Sequence, residues 1–190
     1  QYSLLFGDEV TGYSFMVMEE KVDQGAVFFK EEIQIQENDN SSSLLKKISK
    51  GSSEKIVTAL ELIADNKVKF LVQDEKKVTY SYKIKKNDTY ISFDENAFEI
   101  LCKIRAFNLN PGAKCIIDKE IVKILDAKIE ENFTDVKETG IVLDNGLLIS
   151  CKDKAIRLIK IQREGRKAML VKEALNGWNI SKGIKIYEKK

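Results

Sequence analysis

The sequence predicts an α/β unit followed by an all-β unit. Three observations carry this. Residues 1–68 hold two apolar β-runs and then a long amphipathic run. The next stretch, to residue 88, loses periodicity and collects lysines. Beyond it, about five short β-runs follow within some fifty residues, separated by tight-turn residues, the pattern of a small closed or nearly closed barrel. The expected division is therefore 1–68, a linker at 69–88, and 89–190.

Each element has its own signal. "VTGYSFMVME" (10–19) is apolar after Gly12 and reads as a strand covered on both faces. "AVFFKEEIQI" (26–35) begins likewise and then alternates, so its far half is exposed on one face. "EEKVDQG" between them reads as a loop at a strand end. In 38–67 the period changes: Leu44, Ile48, Ile56, Leu60 and Ile63 fall on one helical face, Asn40 and Ser41 to Ser43 offer caps, and Gly51 leaves one helix or two. "DENAFEILCKIRAF" (94–107) reads as a short helix with Asp94 as N-cap and Phe98, Leu101, Ile104, Ala97 and Ile100 on the buried face. The remaining β-runs are 113–118, 120–131, 139–144, 146–153 and 155–164. Tight turns are expected at Asp118-Lys119, Asp144-Asn145-Gly146 and Lys152-Asp153-Lys154. "LVKEALNG" (170–177) reads as a helix stopped by Gly177, and "GIKIYEK" as a last strand.

Composition excludes several classes. No apolar run approaches the roughly 20 residues of a membrane helix, so no membrane partner is expected. No basic and apolar leader follows Gln1, which argues against a signal peptide; a first residue other than Met points to chain lost upstream. Cys102, Cys115 and Cys151 are odd in number and widely spaced, without a CxxC pair; they read as reduced thiols in a cytoplasmic protein, with no metal site. The chain has 0 histidines, which removes every mechanism that needs an imidazole from within it. Net charge is +2, yet residues 151–190 hold 12 basic and 4 acidic side chains, net +8. A neutral body with a basic end suits a phosphate-bearing partner; the plain alternative is a solvated lysine surface.

Several segments together resemble the methionyl-tRNA formyltransferase family. "GDEVTGYSFMVMEEKVDQG" (7–25) is similar to that family's G-D-x-x-T-G-V-T-x-M-x-M-x-x-x-L-D-T-G. "VTYSYKIKKND" (78–88) is similar to T-Y-A-x-K-I-x-K-x-D, "IRAFNLNPGA" (104–113) to I-R-A-F-N-P-x-P-G-A, and "GRKAMLVKEALNG" (165–177) to G-K-K-x-M-x-x-x-D-F-L-x-G. "KGIKI" (182–186) resembles the family's final strand. The matches are collinear. The resemblance implies that residues 1–68 are the second half of a Rossmann-like formyltransferase domain and that 89–190 form an OB-type barrel with a short helix that binds tRNA. The first half of the catalytic domain, with the family's N-x-H-x-S-L-L-P segment, is then expected outside this chain and would be its structural partner. Tyr13 stands where the family has Val, Val22 and Gln24 flank Asp23 where Leu and Thr are usual, and Leu109 replaces a Pro.

The same resemblance assigns roles. Asp23 is the one catalytic residue expected here, orienting a histidine and anchoring a water. Met18, Glu19, Glu20, Lys21, Val22 and Asp23 are expected to grip the pterin of 10-formyltetrahydrofolate. Lys83, Lys85, Lys86, Arg105, Arg157, Lys160, Arg163, Arg166 and Lys167 are expected to meet the phosphates of methionyl-initiator tRNA. The full-length protein is expected to be a monomer, and this chain alone is expected to be inactive. Read without the resemblance, Asp23 is an acid in an Asx-turn. Two rival functions share these features: a formyltransferase acting on a sugar-nucleotide amine, and a non-enzymatic OB-fold nucleic-acid module.

Overall fold

In the computed structural model, residues 1–108, 110–133 and 136–187 are described; Leu109 lies outside them. The chain forms two compact units, residues 8–82 and residues 1–7 with 83–190. The first helical turn, α1 (Tyr2–Leu5), belongs to the larger unit.

In the smaller unit, β1 (Val10–Met16) and β2 (Val27–Gln34) pair antiparallel, from Val10 opposite Gln34 to Met16 opposite Val27. The expectation that β1 is covered on both faces fails. Its residues alternate between exposed and half-buried, because a two-stranded ribbon with one helix has only one layer to cover it. α2 (Ser41–Ala64) is one continuous helix. Asn40 starts it, its Oδ1 accepting from the amides of Ser42 (3.0 Å) and Ser43 (3.1 Å). Gly51 does not break α2. A Cβ there would meet the Tyr13 ring at 3.1 Å, so the glycine lets the larger residue of β1 lie against the helix. Tyr13 Oη is shielded from solvent and, among the described residues, has no partner in ordinary hydrogen-bond geometry, although the Glu31 carboxylate lies close enough to act on it. Burial first, then the Glu31 and Glu54 carboxylates, raises its pKa. The expected apolar face of α2 is only partly used: Leu44 is buried, but Ile56 and Leu60 are exposed. The expected linker begins tied down. Leu71 exchanges two 2.9 Å backbone hydrogen bonds with Val27, and Phe70 meets the Phe28 ring edge-on.

The larger unit is built on a curled antiparallel sheet. β3 (Ala113–Ile117) and β4 (Glu120–Glu130) form a hairpin whose two-residue turn is Asp118-Lys119, both at positive φ, as a primed turn requires. β4 then pairs with β6 (Ala155–Arg163), and β6 with β5 (Leu148–Ser150) and with β7 (Met169–Leu170). The register slips around Leu125, and Asn108 Nδ2 donates to the Leu125 carbonyl at 3.0 Å. Such a bulge bends a long strand so that it can serve two neighbours. Hydrogen bonds then complete a ring. Ser150 N donates to Ile141 O (3.0 Å), Val142 N to Ile184 O (2.9 Å), and Ile116 N to Tyr187 O (2.8 Å), which returns to β3. Inside lie Ile117, Ile124, Ile149, Ile156, Leu158 and Ile161, all fully buried.

α3 (Ala97–Phe107) packs on this sheet through Ile100, Ile104 and Phe107. Two expectations for α3 are corrected. Its N-cap is Asn96, whose amide donates to Glu99 Oε2 at 3.0 Å. Asp94 instead accepts from the Thr139 hydroxyl. Phe98, expected inside, is exposed, because it faces away from the sheet. The Lys152-Asp153-Lys154 turn reaches α3, with Asp153 Oδ1 accepting from Ala97 N at 2.8 Å. The 170–177 helix shortens to α4 (Val171–Ala174).

Candidate functional site

The Asp23 loop leaves β1 and re-enters β2 through a single closure, Val17 N to Ala26 O at 3.0 Å. Gly25 makes that closure possible. A Cβ on it would lie 1.8 Å from the Val17 carbonyl oxygen, inside the atom itself. Gly12 is comparable, with a would-be Cβ 2.2 Å from Glu31 O across the ribbon. The two glycines of the motif are therefore places where backbone meets backbone. Asp23 sits at φ +59, a left-handed conformation that Asp tolerates better than most side chains. From the expected linker, Gln73 Nε2 donates to the carbonyls of Asp23 (2.9 Å) and Gly25 (2.8 Å). This residue was invisible to sequence reading, because only the Leu71–Val27 pairing brings it alongside.

The residues expected to hold a cofactor form one solvent-facing loop. Met18 is 93% exposed and Val22 84%, and Glu19, Glu20, Lys21 and Asp23 are exposed too. Among the described residues, the amides of Met18 to Gln24 have no backbone acceptor. Free backbone edges beside two bare apolar side chains suit a flat, polar-edged ring. No group of three or more His, Cys, Asp or Glu able to hold a metal occurs among the described residues.

The basic residues divide into two sets. Arg157 and Arg163 are used within the larger unit. Arg157 Nη2 meets Asp144 Oδ2 at 2.8 Å, and its Nη1 donates to Gly146 O at 3.3 Å. The Arg157 guanidinium, above all, holds the Asp144 pKa below the usual carboxylate range. Arg163 grips Glu120 Oε2 through Nη2 (2.7 Å) and Nε (3.0 Å), and its guanidinium lies 4.5 Å from the centroid of the buried Trp178 ring. Trp178 thus packs inward. Lys83, Lys85, Lys86, Lys160, Arg166 and Lys167 are exposed, and Arg105 is half-buried in the last turn of α3. Cys102, Cys115 and Cys151 are all buried, and burial pushes the thiols of Cys115 and Cys151 up to about 12.

The chain thus offers a ribbon that carries a glycine-pinned loop with Asp23, and a curled sheet with exposed lysines and arginines. The chain belongs to the formyl transferase family: residues 83–179 match "Formyl transferase, C-terminal domain" and residues 1–60 match "Formyl transferase". A curated relative, the methionyl-tRNA formyltransferase of Pelagibacter ubique, is 36% identical over 187 residues, 98% of this chain and 59% of that protein. The chain thus spans a little under two thirds of the curated relatives it matches. Two solved structures share the fold. HypX from Aquifex aeolicus, in complex with tetrahydrofolic acid, has a TM-score of 0.68 at 16% identity, over 100% of this chain and 35% of that one. The N-formyltransferase from Helicobacter canadensis, in complex with folinic acid and dTDP-3-aminofucose, also has a TM-score of 0.68, at 20% identity over 85% of this chain and 58% of that one. No helix among the described residues is long and apolar enough to cross a membrane.

Proposed function

We propose that the protein acts in translation initiation, in the cytoplasm, moving a formyl group from 10-formyltetrahydrofolate to the α-amine of methionyl-initiator tRNA. The observation that carries this is the collinear 36% identity to a methionyl-tRNA formyltransferase across 98% of the chain. In that reaction the amine attacks the formyl carbon, a tetrahedral oxyanion forms, the amine loses a proton and N10 of the folate gains one. A donor for the oxyanion and a base near neutral pKa are required. Asp23 supplies the carboxylate that orients the base, and the backbone of Met18 to Asp23 pairs with the polar edge of the pterin. The base itself is not among these residues, since the chain has 0 histidines, so the 190-residue chain alone transfers nothing. The curled sheet is an OB-type barrel that holds the tRNA, with Lys83, Lys85, Lys86, Lys160, Arg166 and Lys167 as its phosphate contacts and Arg105 beside them.

The test is formylation by the full-length protein, with methionyl-tRNA and a dTDP-amino sugar as competing acceptors. Methionyl-tRNA is the expected product-former. Asp23→Asn should lower kcat/KM at least about 100-fold with the fold retained. Formylation of the amino sugar in preference to methionyl-tRNA would reject the assignment.

A further inference from the structure

β3 and β4 present two lysines face to face. Lys114 and Lys123 are direct cross-strand partners in the hairpin. Both lie on its outer face, since Ala113, Cys115, Val122 and Ile124 fill the inner one. Like charges opposite each other weaken a strand pair, so this pairing works against the fold. A third lysine aggravates it. Lys86 enters from the turn before Tyr90, and Tyr90 bridges to Lys114, whose ammonium lies 5.9 Å from the centroid of the Tyr90 ring. Gln162 continues the row as the partner of Lys123 on β6. These five side chains line one groove of about 330 Å³. Beside Lys123, Gly112 has φ +88, and a Cβ there would lie 2.7 Å from Lys123 Cδ; the bare glycine lets the lysine stem lie across the backbone.

Among the described residues, none of the three lysines has an ion-pair partner. Arg163, on the groove wall, is already committed to Glu120, and among the described residues Glu164 is the one carboxylate in the lining. Burial, then Lys123 and Lys86, lowers the Lys114 pKa, so the repulsion is felt at the ammonium. A self-opposing cluster whose lysines form no ion pair among the described residues, beside a phenol and an amide, is the arrangement that a tetrahedral anion relieves.

We propose that the groove between Lys86, Lys114 and Lys123 is a phosphate seat, occupied by phosphates of an RNA backbone. The RNA occupant rests on the tRNA reading above; the seat rests on the lysines alone. Inorganic pyrophosphate titrated into the 190-residue chain, with lysine side chains followed by NMR, should shift Lys86, Lys114 and Lys123 together and saturably. No saturable shift at these three would overturn the seat. In the second arm, tRNA binding is measured against salt for the wild type, for Lys114→Met/Lys123→Met, and for a control with Lys172→Met/Lys182→Met. The groove variant should bind about 10-fold more weakly at 0.1 M salt, with the slope of log affinity against log salt reduced by about 1 to 2; the control should keep its slope. Unchanged tRNA binding in the groove variant would overturn RNA as the occupant and leave the formyl-transfer reading standing. Pyrophosphate binding by a chain that does not bind tRNA at all would support the seat and reject the tRNA reading.

Discussion

Gly25 and Gly12 are single residues on which the Asp23 loop depends. Each would-be Cβ overlaps a backbone carbonyl, 1.8 Å at Gly25 and 2.2 Å at Gly12, and backbone, unlike the end of a flexible side chain, does not step aside cheaply. Gly25→Ala should therefore destabilise the smaller unit by at least about 2 kcal/mol. Gly177→Ala, which meets nothing within 4 Å, should stay within about 0.5 kcal/mol; urea unfolding of the two variants measures the contrast. Asp23→Asn is the clean probe of chemistry, because Asn also tolerates the left-handed conformation that Asp23 adopts. The "DQG" triplet announces a turn in the sequence. It does not announce whose carbonyl Gly25 must avoid, because that depends on where the loop closes. The same limit hid Gln73, which acts through a pairing some forty residues away in sequence from β2.

Most elements were legible because their hydrophobic period sits inside one segment. α2 and α3 form where the helical period falls, although Ile56, Leu60 and Phe98 of their expected apolar faces are exposed, and the Asp118-Lys119 turn fixes the hairpin register so firmly that the Lys114–Lys123 pairing was readable in principle. What failed were choices settled by neighbours. Asp94 and Asn96 are equally good caps by sequence, and the helix start was decided by where Asp153 could reach Ala97. Arg157 was expected to meet phosphates, but the turn opposite brings Asp144 to it. That pair carries a pH dependence. Because Asp144 is depressed in the folded state, its contribution is complete above the ordinary carboxylate pKa of about 3.8 and is lost as pH falls through the depressed value. Wild type and Asp144→Asn should differ in urea midpoint at pH 6 and draw together as the pH falls below the ordinary carboxylate value of 3.8.

The whole molecule is uneven in how much surface it hides. α2 buries only Ser41, Leu44 and Ala59 along its 24 residues, whereas β4 and β6 enclose a continuous core. Amides of α2 should accordingly exchange with deuterium at least about 100-fold faster than those in the middle of β4 and β6, measured on the intact chain. Comparable protection in both would contradict the burial pattern. The spacing of the β-runs suggested a closed or nearly closed barrel but not which segments meet, since the hydrogen bonds between Ile116 and Tyr187 link residues far apart in the chain. The seam between Ile116 and Tyr187 also bears on how the protein is made. β3 leaves the ribosome about seventy residues ahead of its closing partner, so at ordinary elongation rates it waits roughly 4 to 14 s with an unpaired edge. During that interval the curled sheet is open along β3, and an open edge is a template for pairing with another chain.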